Sequence, residues 1–124
     1  METVEIEENV YAALKNNEIL MDLLAKADES IFHLQAPEVF PDLPLLVYSP
    51  IDDTPILHGD NLEKLHSVTM RIHIVHGEYD YSQIYSEVKK IMQALDFTRV
   101  NTTPYKSHDG VQMLITDFEI ITGG

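Results

Sequence analysis

Hydrophobic positions along this chain recur at two different periods. Ile6, Val10, Ala13 and Leu14 fall on one helical face, and Leu20, Leu23, Leu24 and Ala27 take the pattern up again. Asn16-Asn17 separates the two sets. The pattern predicts either two short helices or one helix weakened at the asparagines, ending near Asp28-Glu29-Ser30, with Thr3 as the capping residue. Ile31-Phe32-His33-Leu34 then reads as a short strand. Pro37 and Pro41 break regular structure, because proline lacks a donor N–H and restricts its predecessor. Leu43-Pro44-Leu45-Leu46-Val47-Tyr48 is an apolar run that predicts a buried strand.

Period two is clearest where Val68, Met70, Ile72 and Ile74 alternate with Thr69, Arg71 and His73. Before it, positions 50–64 show no period. They hold Asp52-Asp53, Pro55, Gly59, Asp60 and Asn61, and read as a long, mobile loop of about 15 residues. After the strand, Asp80 and Gln83 have capping-box spacing, with Tyr79 placed to staple onto Ile84. Ile84, Val88, Ile91 and Leu95 form the apolar face of this helix, leaving Glu87, Lys89, Lys90 and Gln93 to solvent. A hairpin closes the chain. It runs from Thr98 through Tyr105 to a tight two-residue turn at Asp109-Gly110 and back along Val111 to Ile121. Leu114, Phe118 and Ile120 give the return strand its apolar face, with Asp117 and Glu119 opposite.

The order is α-β-β-loop-β-α-β-β over a single domain, 1–124. It predicts an α+β fold: one mostly antiparallel sheet of about four to five strands, with helices packed on one face. The chain's 124 residues suffice for a core without disulfides or metals. It has no cysteine, which excludes a disulfide scaffold, a cysteine nucleophile and a thiolate metal site. The acidic start lacks the basic-then-apolar order of a secretory signal. No apolar run approaches the roughly 20 residues of a membrane span. Net charge is −13, a surface that repels nucleic-acid phosphates and anionic membranes alike. It implies solubility, or a face that meets DNA without sticking or meets a basic partner.

Catalytic and cofactor motifs are missing. His33, His58, His66, His73, His76 and His108 fall in different elements, and no metal-binding spacing occurs. Asp52-Asp53 is the only adjacent aspartate pair, and a loop holds it poorly for acid–base work. There is no phosphate-cradling glycine loop and no nucleophile elbow. Tyr79, Tyr81 and Tyr85 cluster at a helix start among acidic neighbours, which suits core packing or a protein interface better than base stacking. The expectation is no enzyme, no cofactor and no metal.

This layout resembles the small tail-component proteins of long-tailed bacteriophages and prophages, in the tail completion or tail terminator group. The resemblance spans nearly the whole chain. It rests on the amphipathic N-terminal helical region, the strand Leu43 to Tyr48, and the loop to Leu65. It continues through the segment His66 to Val75, the helix Tyr81 to Leu95 and the C-terminal hairpin. It implies an α+β subunit of a ring, often a hexamer, at the head-proximal end of the tail tube. The partners implied are copies of itself, tail-tube protein and head-connector protein. DNA would pass through an acidic lumen without specific binding, and no membrane would be involved. The implied location is the virion, after assembly in the bacterial cytoplasm. Such a ring recruits strand edges and loops, which makes Asp52, Asp53, Ile56, Leu57, Asp60, Tyr79 and Tyr81 the candidate assembly interface. A small ligand-binding or regulatory domain with the loop as a lid is the alternative. An enzyme using Asp52, Asp53 or a histidine is a third.

Overall fold

The structure, a computed structural model, describes residues 1–36, 42–59 and 62–123, with the backbone alone at 57, 58 and 62–64. Helices α1 (Thr3–Lys15) and α2 (Glu18–Leu23) lead through a 3-10 turn, Ala27–Ser30, to strand β1 (Ile31–His33). Strands β2 (Leu45–Gly59) and β3 (Leu62–Val75) follow, then α3 (Ser82–Ala94), β4 (Thr98–Lys106) and β5 (Gln112–Gly123). The five strands make one sheet in the order β1-β2-β3-β5-β4. Among the described residues, only the β1–β2 pair is parallel, so the α+β sheet is mixed.

The asparagines divide two helices because Asn17 turns its side chain back to accept from the Leu20 N–H at 2.8 Å, capping α2. All three helices cover one face of the sheet. Ile6, Val10 and Leu14 of α1, Leu20 of α2, and Ile84, Val88 and Met92 of α3 pack on Tyr48, Met70, Ile72, Ile74 and Phe118. On the opposite face, Leu45, Val47 and Val75 form a smaller cluster with Phe32, Leu43 and Met113.

Several local expectations need correction. The expected loop at 50–64 is a β-hairpin wherever it is described: β2 runs unbroken to Gly59 and β3 starts at Leu62. Thr3 lies inside α1 rather than capping it, and its hydroxyl donates to Asp53 instead. The cap position of α3 is Tyr81, not Asp80, although the Asp80 carboxylate still accepts from the Ser82 N–H at 2.9 Å. Tyr79 is exposed, and the tyrosines of that cluster packed against the core are Tyr81 and Tyr85. Glu87 is buried rather than solvated, between Asn17 and Lys90, because α2 docks on that side of α3. The last hairpin turns through Ser107–Val111, with Gly110 at φ +85°, so its loop is longer than two residues.

Candidate assembly surface

The long hairpin changes character halfway along. Leu45 to Tyr48 is buried, whereas every residue from 51 to 56 is exposed. The register is irregular over the same stretch. Pro50 faces Met70 but Asp52 faces Thr69, and Pro55 faces His66 but Leu57 faces Leu65. The two extra residues on β2 are therefore Ile51 and Ile56. A bulge re-aims its side chain, and both isoleucines stand in solvent, 44% and 51% exposed. The same device recurs on β4. Arg99 faces Phe118 and Asn101 faces Asp117, so Val100 is the extra residue, 57% exposed.

The outer half of the hairpin is tied to α1. The His66 ring lies between Asp53 Oδ1, at 2.6 Å from Nδ1, and the Met1 carbonyl, at 2.8 Å from Nε2. Both oxygens accept, so the pair of contacts is satisfied when both ring nitrogens carry hydrogen. Thr3 Oγ1 donates to the second Asp53 oxygen at 2.6 Å. The hydrogen bonds from Thr3 and then His66 hold the Asp53 carboxyl below its usual range. The Met1 amine reaches Thr122 Oγ1 and the Gly123 carbonyl on β5.

On the helix-free face, Arg71 donates to both oxygens of its cross-strand neighbour Asp117, at 2.9 and 3.1 Å. This bidentate pair pushes the Arg71 guanidinium further up. His73, beside it on the same strand, is pushed down by burial and by the Arg71 charge. Among the described residues, its buried Nδ1 has no hydrogen-bond partner. His73 also lines a cavity of about 280 Å³ with Leu34, Gln35, Ala36, Val47, Val75 and Met113. A more open groove of about 460 Å³ runs past His76, Tyr81, Tyr105 and Lys106.

The residues chosen from sequence scatter across these features. Asp52, Asp53 and Ile56 share the outer half of β2, and Leu57 holds a β2 position opposite Leu65. Asp60 lies outside the described residues. Tyr79 stands exposed after β3, whereas the Tyr81 ring packs 4.7 Å from that of His76. Ile51 and Val100 were missed, since a bulge leaves no mark until the register is known. Among the described residues, no group of three or more His, Asp or Glu is placed to hold a metal ion, and no helix is long and apolar enough to cross a membrane.

A solved structure of the bacteriophage SPP1 gp17 protein superposes on 94% of this chain and 89% of that one, with TM-score 0.55 and 17% identity. The two chains share a fold. No family description matches the sequence, and no curated protein matches it significantly. The likeness to gp17 is therefore one of architecture, carried by the whole α+β layout rather than by a motif.

Proposed function

We propose that this chain is a structural phage protein of the tail or head–tail junction, which assembles as a ring to complete or terminate the tail tube. The observation that carries this reading is the fold shared with a phage protein over 94% of the chain. The absence of catalytic motifs from the sequence agrees with it, as do the solvent-facing isoleucines and valine on two strand edges. The subunit works through surfaces. Its partners are further copies of itself, in sixfold number, together with tail-tube and head-connector proteins, and its place is the virion. The acidic residues that give the chain its charge of −13 keep a DNA-bearing lumen from binding what passes through it. Native mass spectrometry and negative-stain microscopy of the purified protein test this, alone and with tail-tube protein. Closed oligomers are expected; a strict monomer that also ignores tail-tube protein overturns the reading.

One observation favours a second reading, a small ligand-binding or regulatory domain. The 280 Å³ cavity is mainly apolar and includes a histidine whose Nδ1 is unpaired among the described residues. A thermal-shift screen that finds a tight small-molecule ligand, abolished by His73→Phe, would support it over the first.

A further inference from the structure

The sheet has two edges where strands lack a neighbour, and they lie on opposite sides. Among the described residues, β1 covers only Leu46 to Tyr48 of β2, so β2 beyond Tyr48 has no strand partner on the side away from β3. At the other end of the sheet, again among the described residues, β4 pairs with β5 alone. The two edges carry opposite charge. From Ile51 to Gly59, β2 has Asp52 and Asp53 and no lysine or arginine. Along its length β4 has Arg99 and Lys106 and no acidic residue, in a chain of net charge −13.

We propose that these two edges are the two sides of one contact between copies of this chain. The β2 edge of one copy, with Ile51, Asp52 and Ile56, docks against the β4 edge of the next, with Arg99, Val100 and Lys106. The proposal rests on the ring reading above and names the interface that builds it.

Different patches on opposite sides of a subunit make a head-to-tail contact, the kind that closes into rings. Charge selects the pairing. An acidic edge meeting its own kind, or a basic edge meeting its own kind, places like charges together, and only the mixed pairing is favourable. Prolines, bulges and charges also guard edges against indiscriminate strand addition, and Pro50, Pro55 and Pro104 serve that end by removing donors. Guarding alone does not explain the bulged residues. A polar side chain would protect as well, yet all three extra residues on these strands are β-branched and apolar: Ile51, Ile56 and Val100. The prolines keep the contact from becoming a long ladder, so it consists of apolar side chains flanked by opposite charges.

The test reverses one edge at a time. Asp52→Lys with Thr54→Lys makes the β2 edge basic, and Arg99→Glu with Lys106→Glu makes the β4 edge acidic. All four side chains are exposed, so circular dichroism should match wild type. Association is read by sedimentation and native mass spectrometry under the conditions in which wild type assembles. Each variant alone should associate at least tenfold more weakly than wild type. An equimolar mixture should recover assembly, with the two variants alternating, because each edge again meets its opposite. Val100→Ser should weaken association without reversing any charge, and added salt should weaken wild type. If wild type forms closed oligomers and both reversed variants form them equally well, this interface is wrong and the ring reading survives. If wild type stays monomeric with and without tail-tube protein, both fall together.

Discussion

The β2–β3 hairpin runs from the centre of the core out to solvent, and its two halves are built from different residues. The inner half carries Leu46 and Tyr48 against Ile72 and Ile74, beneath three helices. The outer half carries Ile51, Asp52, Thr54 and Ile56, all exposed, on a strand twice bulged. Both halves pair with β3, although the bulges interrupt the outer ladder, so pairing alone does not distinguish them. What differs is the apolar area removed from water, which is the main favourable term in folding. The inner half therefore holds the subunit together, and the outer half is free to serve another molecule. Residues of one hairpin should accordingly separate into those that matter for stability and those that matter for assembly.

The sharpest way to break this comparison is to truncate one residue from each side of it. Leu46 is fully buried opposite Ile74. Leu46→Ala should lower unfolding free energy by about 2–5 kcal/mol, from lost burial plus the cavity left behind. Ile56→Ala should change stability by no more than about 0.5 kcal/mol, while weakening association. Urea melts of the two variants check both statements. Equal losses would mean that the outer half is as much a part of the core as the inner half.

A second contrast lies between the faces of the sheet. The helix face is apolar, whereas the open face holds the Arg71–Asp117 pair, with Asp117 only 7% exposed. Arg71→Leu strands that carboxylate without its partner and should cost about 2 kcal/mol, held below the fully buried range because Arg71 itself is half in water. Adding Asp117→Leu should restore much of the loss, since no unpaired charge remains. A double-mutant cycle on urea midpoints measures the coupling. Additive losses would show that the two side chains do not act as a pair.

The sequence revealed the inner half of the hairpin far better than the outer. Val68, Met70, Ile72 and Ile74 alternate cleanly, because one face is buried and no bulge intervenes. From Pro50 onward the alternation fails for a physical reason. Each bulge shifts parity by one, so Ile51 and Ile56 fall out of step with the apolar residues before them. Prolines and an aspartate pair complete the appearance of a loop. Glu87 was misplaced for a different cause: its own helix leaves it on the polar side, and only the docking of α2, through Asn17, covers it. The candidate surface was half legible. Asp52 and Ile56 could be chosen from sequence, but Val100 lay in a strand whose bulge exists only relative to Phe118 and Asp117.

The junction between the halves offers a smaller effect. His66 joins β2, through Asp53, to the start of the chain ahead of α1, through the Met1 carbonyl. His66→Ala should cost about 1 kcal/mol, the usual net worth of such contacts. It should also speed amide exchange in the first turn of α1 more than in α3. Uniform exchange across both helices would mean that the contact does not anchor α1 locally.

The mildest effect is a pH dependence set by His73. Burial and then the Arg71 charge depress its folded pKa below the ordinary 6.5. The unfolded chain therefore binds a proton more readily than the folded one between those two values, and stability falls as pH drops through that window. Above the ordinary value both states are neutral at this residue and the contribution is flat. His73→Phe removes the titration, so the variant's unfolding midpoint should change less than wild type's between pH 7 and pH 5. The acidic groups of the chain do not blur the comparison, because they are common to both proteins and cancel in the difference. A wild-type midpoint that rises on acidification relative to His73→Phe would mean that Asp117 outweighs burial and Arg71, leaving the open face able to take up a proton without loss.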